Sequence, residues 1–119
     1  MSKAHHKINY IEFAATDIAR AKEFYKTVFG WEFQDWGPGY ASFDAAGSGI
    51  DGGFRLTKSG EVIGEAAPLV VLYSADLKAT EAAIVAAGGS IVVPTFEFPG
   101  GHRFHFSDGA GNLLAVWSE

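Results

Sequence analysis

The period of the apolar residues changes along the chain and then repeats itself. From Ile8 the run INYIEFAA carries β-branched and aromatic residues at strand density and ends at Thr16-Asp17, where an aspartate can cap a helix. Ile18, Ala21, Phe24, Tyr25, Val28 and Phe29 then recur at three- and four-residue steps, and Gly30 follows as a residue able to turn left-handed. This spacing predicts a helix over 18–29. Three short strand candidates come next, WEFQDW, YASFDA and GIDGGFRLT, separated by the turn segments Gly37-Pro38-Gly39 and Gly47-Ser48-Gly49. The pair Gly52-Gly53 reads as a bulge.

Lys58 to Ala67, KSGEVIGEAA, is polar and lacks a strong period, so it reads as a connection and a candidate flap. The order then begins again. PLVVLYS is a strand, Asp76 a cap, and Leu77, Ala83, Ile84 and Ala87 the stripe of a helix over 77–87 that stops at Gly88-Gly89. SIVVP, HRFHFS and NLLAVWS follow as strands. The duplication predicts an α+β fold of two tandem β-α-β-β-β modules, about 8–57 and 68–119, in a single domain. Curved mixed sheets would surround a cleft, with helices on the outer faces. The inner faces of so small a chain call for another cover, and a C2 homodimer is the expected one.

With 119 residues the chain can close one hydrophobic core. A net charge of −5 and scattered Lys and Arg leave no basic stripe for nucleic acid or for an anionic membrane surface. There is no cysteine, hence no disulfide and no thiolate ligand or nucleophile. No stretch reaches the roughly 20 apolar residues of a spanning helix, and no apolar leader opens the sequence. A cytoplasmic protein is the expectation.

The stretch TDIARAKEFYKTVFGWEF, with Asp17, Ala21, Phe24, Tyr25, Phe29, Gly30 and Trp31, resembles the first-module signature of the vicinal-oxygen-chelate superfamily. SDGAGNLLAVW resembles its second-module ending through Asp108, Gly111 and Asn112, with Gly109 in place of a proline. The resemblance covers nearly the whole chain and implies the fold more strongly than an activity. The superfamily includes glyoxalases, extradiol dioxygenases, epimerases, antibiotic-resistance enzymes and metal-free drug-sequestering proteins. Its enzymes hold one divalent metal on the inner sheet as a Lewis acid. Counted from the helix caps and the last turn, the ligand positions here are Tyr10, Arg55 or its neighbour Phe54, Val70 and Ala115. Apart from the Tyr10 phenol these are not ligands for a hard or borderline cation, so no metal residues are assigned.

Alternation on the first strand puts Tyr10 and Glu12 on the cleft side and Ile11 and Phe13 under the helix. Glu12 is the candidate general base or raised-pKa acid; the plainer role is an ion pair with Arg55 or Arg103 that fixes the cleft. His102 and His105, three apart on a strand, fall on opposite faces, so His105 alone is a cleft candidate. The adjacent Ser107-Asp108 suggests a hydrolytic triad only weakly, and His5-His6 reads as tail. Trp117 alternates with Leu113 and Ala115 and can stack a planar ligand.

The candidate ligand-binding residues are therefore Tyr10, Glu12, Arg55, Leu72, His105 and Trp117. They suggest metal-independent sequestering or sensing of an apolar or aromatic small molecule. Two alternatives stand beside this reading. One is a glyoxalase- or dioxygenase-like metalloenzyme that uses a divalent cation through other residues. The other is an interaction subunit with a vestigial cleft.

Overall fold

The structure is a computed structural model that describes residues 5–6, 8–63 and 67–119. Residues 64–66 of the candidate flap, and residues 1–4 and 7 of the tail, lie outside the described residues. The first module contains β1 (Ile11–Ala15), α1 (Ile18–Phe29), β2 (Phe33–Asp35), β3 (Tyr40–Phe43), α2 (Ala45–Ser48) and β4 (Gly52–Leu56). The second contains β5 (Val70–Tyr73), α3 (Leu77–Ala86), β6 (Ser90–Phe98), β7 (Gly101–Ser107) and β8 (Leu113–Ser118). Each module folds into a four-stranded mixed sheet, ordered β1-β4-β3-β2 and β5-β8-β7-β6. In each the first strand runs parallel to the last, while the remaining pairs are antiparallel.

Both long helices start where the sequence predicts. The amide of Arg20 donates to Asp17 Oδ1 and that of Ala79 to Asp76 Oδ1, each at 3.1 Å, satisfying donors that a first turn would otherwise leave free. Gly30 closes α1 with φ 76°, a conformation that suits glycine. The turn delivers Trp31 back onto the helix, where its ring stacks on Tyr25 at 4.8 Å.

Three local expectations are corrected. Ala45–Ser48 is a short helix rather than only a turn, because Asp44 Oδ1 accepts from Ala46 N and Asp51 Oδ1 from Ala45 N. The sixth strand does not stop at Pro94 but continues to Phe98; the proline sits within a register shift on an edge strand, where a missing N–H breaks no regular ladder. Gly52-Gly53 is no bulge, since both residues keep regular register with β1 and β3. Those glycines answer to space instead. A Cβ on Gly53 would come within 2.6 Å of the Tyr40 hydroxyl oxygen.

The core is aromatic and belongs to both modules. Phe24 and Tyr25, both almost fully buried, sit side by side on α1. Tyr25 approaches Phe54 of the first sheet with centroids 5.1 Å apart, and Phe24 stacks on Phe106 of the second at 6.0 Å. The turn before β8 is tied to the same helix. Asp108, wholly buried, accepts hydrogen bonds from the Tyr25 hydroxyl (3.0 Å), the amides of Ala110 (2.7 Å) and Asn112 (3.0 Å), and the Asn112 side-chain amide (3.0 Å). Asn112 Nδ2 also donates to the Ala14 carbonyl at 2.6 Å, and Thr16 N donates to Ala110 O at 3.0 Å. Burial, and then the Asp108 carboxylate, push the Tyr25 phenol well above its ordinary pKa, so it stays a neutral donor.

Replacing either partner therefore acts on both modules at once. Tyr25→Phe removes one of the donors to a buried carboxylate and is expected to lower unfolding free energy by about 1–2 kcal/mol. Asp108→Ala leaves several donors unmet and is expected to lower it by about 2–4 kcal/mol. Urea unfolding followed by far-ultraviolet circular dichroism checks both, and a cost for Asp108→Ala no larger than for a surface substitution would refute the assignment.

Candidate functional site

In each sheet one face packs on the helices and the other faces away from them. On the first sheet, Phe13, Phe43 and Phe54 pack into the core, which leaves Glu12, Ser42, Tyr40, Gly53 and Arg55 on the other face. A hydrogen-bonded chain runs across it. The Tyr40 hydroxyl donates to Glu12 Oε1 at 2.9 Å, so the 2.6 Å contact between the two phenols uses the Tyr10 proton. Tyr40 can lie flat across the sheet because Gly53 beneath it has no side chain. Burial, then the bonds to Tyr10 and Glu12, push the Tyr40 phenol far above its ordinary pKa.

Arg55 faces two carboxylates. Its Nε lies 3.8 Å from Glu12 Oε2, while Nη1 and Nη2 donate to Glu61 Oε1 and Oε2 at 2.9 and 2.6 Å. The fork-to-fork pair is the stronger one by geometry. Glu61 also accepts from Lys58 N at 2.9 Å, which ties the start of the connection to β4. Arg55, and next the Lys58 amide, lower the Glu61 carboxyl to about 2. Glu12 is half exposed in the single chain, so a low-dielectric setting for it depends on what covers this face.

The corresponding face of the second sheet is aromatic and cationic. Register places Val71 beside Ala115, Tyr73 beside Trp117, Arg103 beside Trp117 and His105 beside Ala115. The rings of Tyr73 and Trp117 meet edge to face at 5.1 Å, and Phe98 approaches Trp117 at 6.2 Å. His105 lies 5.9 Å from the Phe96 ring, and burial, then Arg103, lower its pKa. Val71, Tyr73 and Leu113 on this face remain exposed.

The structure thus gathers Tyr10, Glu12 and Arg55 on one sheet and His105 and Trp117 on the other. Among the described residues no hydrogen bond or ion pair joins the two groups. Leu72 joins neither, because it pairs with Val116 and packs on the core side. Val70 likewise pairs with buried Leu114 and Val71 takes the inner position, a one-residue shift that reverses the face. Phe54 is fully buried, so the inner positions on β4 are Gly53 and Arg55. His102 is on the opposite side of β7, with Nε2 3.5 Å from Glu97. Ser107, Asp108 and His105 form no triad, since Asp108 is committed to the turn. Tyr40 and Glu61 complete the first group without having been singled out from the sequence; Arg103, expected as an alternative ion-pair partner of Glu12, lies on the second sheet and makes no ion pair among the described residues, while Arg55 takes that place.

The family model for the Glyoxalase/Bleomycin resistance protein/Dioxygenase superfamily matches residues 7–116. The chain belongs to this superfamily. It is 32% identical over 127 residues to a glyoxylase-like domain-containing protein of Didymella fabae, covering 94% of this chain and 93% of that one. It is 26% identical over 123 residues to CFP32 of Mycobacterium bovis, named as a glyoxylase; the match covers 92% of this chain and 44% of that one, so the chain spans about half the length of that relative. In three dimensions it resembles a glyoxalase/bleomycin resistance protein/dioxygenase family enzyme from Burkholderia phytofirmans PsJN, with a TM-score of 0.77, 17% identity and coverage of 92% and 96%.

Members of this superfamily often use a divalent metal, whose ligand positions counted from the sequence carry few donors here. The inner positions carry Tyr10, Gly53 or Arg55, Val71 and Ala115. Among the described residues no three His, Asp or Glu side chains converge. Arg55 would bring positive charge to the centre such a cation would occupy.

The Arg55–Glu61 pair has a testable pH signature. A folded-state value below the ordinary 4.5 means that the pair's contribution is complete above about pH 4.5 and is lost as pH falls through about 2. Carbon-detected NMR titration should find Glu61 among the last carboxylates to protonate, and Arg55→Met should return it toward 4.5. An unchanged Glu61 midpoint in Arg55→Met would show that the pair does not form in solution.

Proposed function

We propose that this superfamily member binds a planar apolar or aromatic small molecule without a divalent cation, as a homodimer that sequesters or senses its ligand. The inner face of the second sheet carries the reading. Tyr73, Phe98 and Trp117 offer ring edges and faces beside exposed Val71 and Leu113, a surface on which a flat ring gains both area and aromatic contact. The donor set supports independence from metal, since Val71, Ala115 and Arg55 stand where ligands would be needed. Exposed apolar side chains on a sheet face support a second copy as the cover.

On the first sheet the bonded chain Tyr10–Tyr40–Glu12 holds the carboxylate in one orientation, and Arg55 anchors the connection through Glu61. These residues shape and orient, and Glu12 is the candidate acid or base on that face. The names of the relatives define the competing outcome, a metal-dependent glyoxalase.

Tryptophan fluorescence with 2-naphthol and 2-naphthamide tests the reading. Saturable quenching is expected in the purified protein without added metal, with most of it lost in Trp117→Leu while Trp31 and Trp36 remain. Glu12→Gln is expected to alter the affinity or its pH dependence. Turnover of a hemithioacetal or cleavage of a catechol on addition of Ni, Co, Zn, Mn or Fe, lost in Glu12→Gln, would replace the binding reading with an enzymatic one. Neither quenching nor turnover would leave an interaction subunit.

Sedimentation velocity at micromolar concentration tests the assembly separately, and a monomer there would refute the dimer.

A further inference from the structure

The chain has three arginines, and two of them are occupied. Arg20 donates to the Gly88 carbonyl at 3.1 Å, and Arg55 grips Glu61. Arg103 differs from both. Its guanidinium carbon lies 5.2 Å from the centre of the Phe96 ring and 5.3 Å from that of Phe98, and among the described residues it makes no hydrogen bond and no ion pair. Among the described residues its buried Nε has no partner, nor has Nε2 of His105 two residues along the same face. The acids nearest in register are turned to other work: Glu97 faces His102 on the opposite side of the sheet, and Glu119 Oε1 accepts from the Tyr73 hydroxyl at 2.5 Å.

We infer that Arg103 and His105 form the polar floor of the aromatic face and that the ligand is a planar aromatic monocarboxylate whose carboxylate meets the Arg103 fork. Buried polar atoms normally have partners, and among the described residues Arg103 Nε and His105 Nε2, on the same face of β7, have none, so this face holds polar groups that the chain itself leaves unsatisfied. A guanidinium pre-set against two rings keeps its planar fork in one orientation, which suits the two oxygens of a carboxylate. Trp117, Arg103's register partner, together with Phe98 and Tyr73, gives the attached ring its wall. His105, held neutral by burial and by the neighbouring guanidinium, adds a hydrogen-bonding atom without adding charge, so the floor matches one negative charge rather than two. In a chain with 14 acidic and 9 basic residues, this cation is a local reversal of sign.

The inference rests on the proposed ligand-binding reading and can fail without it. Titration with 2-naphthoate and 2-naphthamide, which share a ring and differ in charge, reads the preference directly. Naphthoate is expected to bind at least about tenfold more tightly, as a hydrogen-bonded charge would give. Arg103→Gln should bring the two affinities together while naphthamide binding persists, which also reports that the face is intact. Should Arg103→Gln lose both probes, Arg103→Lys decides: a preference reduced severalfold with naphthamide affinity kept supports the fork, and an unchanged preference overturns it. Equal binding of the two probes to the parent protein overturns the carboxylate assignment and leaves the binding reading standing, whereas binding of neither removes both. If the probes bind equally and Arg103→Gln instead weakens self-association in sedimentation, Arg103 meets an acid of a second copy and the inference is wrong.

Discussion

The two modules are joined through a buried carboxylate that has no basic partner among the described residues. Asp108 sits in the turn that feeds the last strand, and its charge is balanced by four hydrogen-bond donors rather than by a cation. Such an arrangement is stable only while every donor stays in place, since the same low dielectric that strengthens the bonds penalises any that is lost. One donor is Tyr25 of the first helix, and another, the Asn112 amide, also holds the Ala14 carbonyl of the first strand. The last turn of the second module is therefore stabilised by the first module's helix and strand, which ties the two repeats together.

That clasp decides where function can reside. By drawing α1 over both sheets, with Phe24 on Phe106 and Tyr25 on Phe54, it fills the helix-facing sides with rings and leaves the other two faces to be covered by something else. The faces have diverged. One carries a chain of hydrogen-bonded phenols and carboxylates, and the other carries rings with a guanidinium and an imidazole whose buried Nε and Nε2 have no partner among the described residues. On the proposed reading, the duplicated unit divides its labour, with orientation on one sheet and recognition on the other.

The sequence announced the helices plainly because each has a cap, a stripe and a stop within one window, Asp17 to Gly30 and Asp76 to Gly88. It announced Asp108 and Asn112 as a turn motif, but not that the carboxylate would be buried, since the partner Tyr25 is 83 residues away. The site was only half legible. Tyr10, Glu12, His105 and Trp117 fell on inner faces because their strands alternate, whereas V-V-L-Y of β5 is apolar at every position and offers no period to choose between its faces, so Val70 and Leu72 were given the wrong one. Tyr40 was missed because its role depends on the missing side chain of Gly53 across the ladder, a relation between strands that no local window contains. Arg103 was named only as an alternative partner for Glu12, although H-R-F-H-F-S already puts it on the face of His105.

An unmatched cation on a recognition face is also an argument about how such a protein discriminates. Apolar contact distinguishes ligands weakly, because one ring resembles another in the area it buries, and the penalty for a poor fit grows only gradually with shape. A guanidinium seated against Phe96 and Phe98 behaves differently, since its Nε stays desolvated whether or not an anion arrives. In the inferred complex a ligand bearing a carboxylate would relieve that cost, while a neutral ring of the same size would leave it in place and add desolvation of its own polar group. The first module has no comparable reserve, as Arg55 is already engaged by Glu61. If the carboxylate inference holds, charge selection belongs to the second module, and the polar chain on the first can change in detail without altering the sign of the ligand.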